Sequence, residues 1–358
     1  MLRYVEGEVS KMNNHQWVLA RTPLEGLPHS DDFNWLSGQM PEIGANQILT
    51  RTIYLSLDPY QWGRRRSGTE SPGDVCHGRT VSQVVQSNLE GYNEGDFVFN
   101  TNGWQEYGLT GEGVSHFGYM FPRKLDSSRS PISTAIGVMG MLGLTAYSGL
   151  MIQCQPKAGE TIIVSAASGG VGQVACQLAK IAGCRVVGIA GSAQKLDYLR
   201  SEVGVDECVS HLGGYFKEEL RELCPDGCDV YFENVGGKVY EAVLPLLNEG
   251  SRITVCGMIS QYGNTDGLDP RQAWDALGET IFSKKNVQVH DLFVGNFVEQ
   301  YQDEFLSKMA DYVSSGRINY KEDRWEGLES APEAFAALLT GGNFGKTIVS
   351  VSEDLSRV

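Results

Sequence analysis

Between Thr161 and Lys195 the chain runs through a strand, a glycine-rich turn, a helix and a second strand, and no other stretch constrains the fold as much. Thr161 to Ala166 is a short β-branched run. Ala167-Ser168-Gly169-Gly170-Val171-Gly172 then opens an apolar helical segment, Gln173 to Gly183, and Arg185 to Gly191 reads as the second strand. A strand-to-helix turn of this kind lets the backbone approach a pyrophosphate and aims free helix N–H groups at it. The spacing Ala166-x-x-Gly169-x-x-Gly172 is looser than the usual fingerprint. The strand before it and the helix after it carry the assignment; a turn that binds nothing is the alternative.

Beyond the turn, strand and helix alternate over 161–165, 170–182, 185–190, 193–203, 207–210, 215–223, 228–232, 237–247 and 251–257. Such alternation predicts a doubly wound parallel sheet. Residues 1 to 132 read differently. Val18 to Ala20, Gln47 to Leu55, Val81 to Val85 and Asp96 to Phe99 are short strand-like runs separated by Gly, Asn, Asp and Pro. A helical run rich in Gly and Met follows from Ile136 to Leu150. Helices are expected at Gln302 to Ser315 and Ala331 to Leu339, and a last strand at Lys346 to Val351. That strand is expected to return to the first domain. The predicted division is therefore a discontinuous β-rich domain, 1–132 with 313–358, around a nucleotide-binding domain at 133–312.

Two domains are also the default for 358 residues. A hydrophobic content of 41% with 20% charged residues is that of a folded globular chain. A net charge of −15 argues against nucleic acid and anionic membranes as partners. No apolar run is long enough for a membrane span, and the N-terminal layout is not that of a signal peptide. The eight scattered cysteines read as reduced thiols, so a cytoplasmic protein is expected. Cys224 and Cys228 lack the neighbours a metal or redox site needs, and Cys76-His77 lacks a second ligand pair, so no metal is expected.

The choice between NAD and NADP turns on the end of the second strand, where NAD sites place an acid about 20 residues beyond the glycines. No acid lies between Arg185 and Gln194; Gly191, Ser192 and then Lys195 stand there instead. Lys195 in the first turn of the next helix could meet a 2′-phosphate as a point charge, or be a solvated surface lysine. The missing acid and the lysine together favour NADPH.

Six ordered segments resemble a family pattern: Leu55-Ser56-Leu57-Asp58-Pro59-Tyr60, Met141 to Tyr147, Ser165 to Gly169, Tyr231 to Gly237, Cys256 to Tyr262, and Asn343-Phe344-Gly345-Lys346. Together they resemble the zinc-independent medium-chain dehydrogenase/reductase superfamily, in the branch of prostaglandin/leukotriene reductases, alkenal double-bond reductases and NADPH-dependent curcumin reductases. The resemblance runs from about His15 to Val351. It implies a Rossmann sheet beside a GroES-like β-rich catalytic domain, an α/β fold, and commonly a homodimer joined through the nucleotide-binding sheet.

It also implies NADPH-dependent reduction of the C=C bond of α,β-unsaturated ketones and aldehydes. Hydride reaches the β-carbon, and a hydroxyl stabilises the enolate oxygen. By resemblance that hydroxyl belongs to Tyr262, with Tyr60 in the substrate pocket; each could instead be packing. The implied cofactor contacts are Met141, Thr145, Ser168, Gly169, Gly170, Val171, Gly172, Gly191, Ser192, Lys195, His211, Asn234, Cys256, Ser260, Tyr262, Asn343 and Gly345. For Asn234 and Asn343 turn chemistry is the alternative. His211 stands where many relatives have a tyrosine near the 2′-phosphate. Cys76 to Arg79, Gln61 to Arg64 and Val289 to Phe293 depart from the family pattern on the expected substrate side. Rival readings are a quinone reductase and a non-catalytic NADPH-binding sensor or structural protein.

Overall fold

The computed structural model describes residues 13–114 and 121–357; residues 1–12, 115–120 and 358 of the predicted β-rich domain lie outside the described residues. Strand β1 (Asn13–Leu19) pairs antiparallel with β2 (Phe33–Gln39). The long β3 (Gln47–Ser56) carries β4 (Thr80–Ser87) on one edge, and α1 (Tyr60–Arg66) lies between them in sequence. Strands β5 (Phe97–Asn100), β6 (Tyr107–Gly111) and β7 (Arg123–Lys124) complete the first half of this region.

The helical run expected from Ile136 begins later, as α2 (Met141–Tyr147), and continues as a π-helical turn over Ser148–Cys154. Gly140 is extended, with φ −121° and ψ −155°, so the helix starts only after it, and a Cβ there would lie 2.2 Å from the Ala135 carbonyl oxygen. Next come β8 (Thr161–Val164), α3 (Gly172–Ile181), β9 (Arg185–Ala190), α4 (Ala193–Tyr198), β10 (Glu207–Ser210), α5 (Phe216–Leu223), β11 (Cys228–Glu233), α6 (Gly237–Val243) and β12 (Leu247–Val255). Helix α7 (Pro270–Lys285) and strand β13 (Gln288–Asp291) follow. This sixth strand, absent from the predicted alternation, overlaps the Val289 to Phe293 segment that departs from the family pattern. It is four residues long and half-exposed at an edge, so it lacks the apolar run of a central strand. Helix α7 leaves no apolar period in the sequence, because only Trp274 and Gly278 of its residues are buried.

The six strands are parallel in the order β10-β9-β8-β11-β12-β13. Their side chains alternate between two cores. Ile162, Val164, Val186, Val230 and Phe232 face one, whereas Ile163, Val187, Ile189, Tyr231 and Ile253 face the other. The strand order reverses between β8 and β11, which leaves a crevice beyond their carboxyl ends.

After α8 (Gly295–Ser314), the last elements are β14 (Glu322–Glu326), α9 (Ala331–Leu339) and β15 (Lys346–Ser350). Strand β15 pairs with β3, giving a second sheet ordered β14-β15-β3-β4-β5-β7 with β6 also on β3. A third core lies under it, built from Leu19, Leu55, Leu57, Trp62, Trp104 and Phe335. Arg65 is buried within that core, bonded to Glu70 at 3.0 Å and stacked 4.7 Å from the Trp104 ring centroid.

Candidate active site

The glycine turn opens at the carboxyl end of β8. Ala166 adopts a left-handed φ of +47°, and the Gly169 N–H donates back to its carbonyl at 2.9 Å. Gly170 and Gly172 answer steric demands. A Cβ on Gly170 would meet Leu142 Cδ2 at 2.2 Å, and one on Gly172 would meet the Ala166 oxygen at 2.3 Å. With no side chains there, α3 docks close to the strand, and the Gln173, Val174 and Ala175 N–H groups donate to the Gly169 and Val171 carbonyls of the turn itself. Ser168 is buried, and Val171 packs on the main core. Gly169 forms a β-bridge with Gly345, so the turn is held against the start of β15.

The far end of this crevice lies beyond β9 and β10. Ser192 caps α4 by accepting the Lys195 N–H at 3.4 Å. The Lys195 ammonium reaches over to the Gly341 carbonyl at 2.8 Å, and burial pulls its pKa below the usual lysine value. His211 follows β10, and its Nε2 lies 3.4 Å from where a Gly191 Cβ would be. Burial, then the nearby Lys238 and Lys195, lower its pKa. Its Nδ1 is buried without a hydrogen-bond partner among the described residues. A histidine ring near Lys195, with Nε2 over a side-chain-free Gly191 and Nδ1 unmatched, fits the 2′-phosphate end of NADPH.

At the switch point itself, the end of β11 is organised by a residue the sequence reading assigned no role. Glu233 is fully buried. Its Oε1 accepts from Ser165 Oγ at 3.1 Å, Tyr231 Oη at 2.9 Å, the Val235 N–H at 2.7 Å and the Gly236 N–H at 3.0 Å. Its Oε2 accepts from Trp274 Nε1 at 3.2 Å. Asn234 donates its backbone N–H to Ser165 Oγ at 2.8 Å and its side-chain amide to the Ser165 carbonyl at 2.7 Å. The carboxylate thus pins the two central strand ends together, and the only local signal for it was its position before Asn234-Val235-Gly236-Gly237. Ser260 donates to the Val235 carbonyl at 2.6 Å on the same rim, and Cys256 is half-buried, its thiol pushed up to about 12 by burial.

Tyr262 stands in the loop after β12, packed against the third core. Its hydroxyl lies 2.9 Å from the Cβ position of Gly257, so glycine there leaves room for it. Burial raises its pKa to about 12. Tyr60 begins α1. Arg79 donates to its hydroxyl oxygen at 2.8 Å, and His77 Nε2 lies 2.7 Å from the same oxygen. Burial, then Arg79, Arg64 and Arg65, hold His77 well below its ordinary pKa, so the ring is neutral. Burial also pushes the Cys76 thiol up to about 11. Thr145 donates to the Met141 carbonyl at 2.7 Å inside α2, and Met141 packs at the edge of the main core. Asn343 bonds the Gly345 carbonyl at 2.9 Å, within its own turn. Among the described residues no three His, Cys, Asp or Glu side chains come together to hold a metal ion.

A parallel sheet with a crevice at its switch point, closed by a second sheet, defines a dinucleotide-dependent oxidoreductase fold. Residues 170–311 match the family described as "Zinc-binding dehydrogenase", and residues 15–116 match "N-terminal domain of oxidoreductase". The NADPH-dependent curcumin reductase of Escherichia coli is 41% identical, covering 96% of this chain and 99% of its own. The 2-alkenal reductase (NADP(+)-dependent) of Nicotiana tabacum is 37% identical over 96% of this chain and 99% of its own. CurA from Vibrio vulnificus, solved in complex with NADPH, superposes with a TM-score of 0.86 at 39% identity, covering 95% of this chain and all of that one. The chain belongs to the medium-chain dehydrogenase/reductase superfamily, in the branch of curcumin, alkenal and prostaglandin reductases.

Proposed function

We propose that the protein is an NADPH-dependent reductase of the C=C bond in α,β-unsaturated ketones and aldehydes, with Tyr262 as the group that stabilises the enolate. The observation that carries this reading is the Tyr262 hydroxyl, seated over Gly257 on the rim of the switch-point crevice and held protonated by burial. When bound, NADPH supplies a hydride to the β-carbon, and a proton from a protein hydroxyl or solvent completes the reduction at the α-carbon.

The glycine turn, Ser192, Lys195 and His211 hold the phosphates, and Asn234, Cys256 and Ser260 line the rim beneath. Tyr262 donates a hydrogen bond to the carbonyl oxygen, where negative charge gathers as the β-carbon is reduced; donors aimed at such a charge are worth about 10²–10³ in rate. Tyr60, held by Arg79 and His77, faces the acceptor. The site is shared between a β-rich domain at 1–132 with 313–358 and a nucleotide-binding domain at 133–312. A homodimer joined through the nucleotide-binding sheet belongs to the same reading, with sedimentation at micromolar concentration as its check.

The test is NADPH oxidation against a panel of enals, enones, diarylheptanoid enones such as curcumin, and quinones. Turnover on enones above quinones is expected. NADPH binding without turnover on any member would remove the reading, and a preference for quinones would replace it with a quinone reductase.

A further inference from the structure

Helix α1 carries three consecutive arginines at its end. Two of them, Arg64 and Arg65, pair with Glu70 at 3.1 and 3.0 Å. Arg66 does something else. Its Nη1 donates to the Tyr262 carbonyl at 2.6 Å and its Nη2 to the Asn264 carbonyl at 3.0 Å. Glu25 and Asp269 line the same surface depression, yet Arg66 forms no ion pair among the described residues. The guanidinium directs both arms of its fork at two carbonyls of one turn, a geometry that fixes orientation as well as distance.

These two bonds cross between the two sheets. The loop holding Tyr262 follows β12 of the parallel sheet, whereas α1 follows β3 of the other. The helix is seated firmly, with Trp62 buried and its Nε1 donating to the Gly26 carbonyl at 2.8 Å. The neighbouring Leu27 in turn packs over Gly263, whose Cβ position lies 2.8 Å from Leu27 Cγ. One short helix therefore has Tyr60 at its first position and a grip on the backbone of Tyr262 at its last. A side chain placed by a loop is only as well positioned as the loop, and misplacement by about 1 Å can cost about 10²-fold in rate.

We propose that Arg66 is a positioning residue: from α1 it clamps the carbonyls of residues 262 and 264, and so sets the Tyr262 hydroxyl in register with Tyr60 across the cleft. This rests on the reading of Tyr262 as the enolate-stabilising group. Arg66 is assigned no contact with the cofactor or the acceptor. Its effect passes through the turn, whose internal bonds run from the Tyr262 N–H to the Ile259 carbonyl and from the Asn264 N–H to the Gln261 carbonyl.

The experiment uses the full chain as wild type, Arg66→Ala, Arg66→Lys, Tyr262→Phe and the double variant Arg66→Ala/Tyr262→Phe. Two readouts are taken: amide hydrogen exchange of the 257–269 segment with and without NADPH, and kcat on the best enone. Arg66→Ala is expected to speed exchange at 259–264 about tenfold and lower kcat about tenfold, with NADPH Kd within about twofold of wild type. Arg66→Lys, a single point donor, should fall between the two. In the Tyr262→Phe background the same substitution should change kcat by less than about twofold, since the hydroxyl it positions is gone. Unchanged exchange in Arg66→Ala would overturn the clamp, as would equal fractional losses of kcat in both backgrounds. Faster exchange with a Tyr262→Phe enzyme of wild-type rate would instead locate the failure in the reading of Tyr262.

Discussion

Lys346 Nζ lies 3.0 Å from Asp58 Oδ1, with both side chains almost fully buried. The ammonium also donates to the carbonyls of Leu57 at 2.6 Å and Thr347 at 2.9 Å, and Ser56 Oγ donates to Asp58 Oδ2 at 2.6 Å. The pair therefore joins the start of β15, beside the Gly169–Gly345 bridge, to the residues that lead into α1 and Tyr60. Removing one partner strands the other's charge in the interior. Lys346→Met is expected to destabilise the protein by about 3–5 kcal/mol, and Lys346→Met/Asp58→Leu by less. Urea unfolding checks this; a double variant no more stable than the single one would show that the pair is not the unit.

Discrimination between NADPH and NADH should lie with Lys195 and His211. Lys195→Ala is expected to weaken NADPH binding about tenfold, roughly 1.4 kcal/mol, and NADH less than about twofold. Fluorescence titration with both cofactors measures it. Equal losses on the two would mean that Lys195 does not meet the 2′-phosphate.

Tyr262→Phe should lower kcat on the best enone by about a hundredfold while leaving NADPH Kd nearly unchanged. Because burial raises the hydroxyl's pKa to about 12, the wild-type kcat should show no Tyr262 ionisation below about pH 10. An alkaline loss of rate near pH 8 that disappears in Tyr262→Phe would contradict this.

His77 supplies a stability dependence on acid. Its folded pKa is held well below the ordinary 6.5, so the unfolded chain takes up a proton that the folded chain refuses. Stability attributable to this group is complete above the unfolded pKa and falls as pH drops below about 6.5, by at most about 1.4 kcal/mol per pH unit. His211 and His290, also lowered, act in the same direction. Melting temperatures between pH 7.5 and 5 should therefore fall less steeply for His77→Gln than for wild type.

Glu233→Gln should cost about 2–4 kcal/mol of stability and weaken NADPH binding, because an amide cannot accept all the bonds the carboxylate takes from Ser165, Tyr231, Trp274 and the 235–236 backbone. Retention of wild-type melting and affinity would show that the switch point does not depend on that carboxylate.

Much of this was legible in order along the chain. Arg185 to Ala190, Glu207 to Ser210 and Ala331 to Leu339 fall where their periodicity puts them, because burial on a strand or helix face leaves a local imprint. The turn at 166–172 was legible for the same reason: close helix–strand packing admits glycine and little else there. Strand β13 and helix α7 left little imprint, since an edge strand and a mostly solvated helix need few apolar residues. Glu233 and Lys346 stand in family-like segments and Arg65 in a run of three arginines, but none of these neighbours specifies the partners that let the fold bury all three.

The sequence by itself determined the parallel sheet, the glycine-rich turn, the acid-free strand end with Lys195, and the family to which Tyr60 and Tyr262 belong. Each is written in neighbouring residues, where period, steric size and chain order act. The tertiary structure alone decided who partners whom: Lys346 with Asp58, Arg65 with Glu70, Glu233 with both central strand ends, and Arg66 with the loop of Tyr262. Lys346 with Asp58 and Arg66 with the Tyr262 loop join residues far apart in the chain, and the strength of the buried pairs comes from desolvation, which exists only once the cores around them have closed.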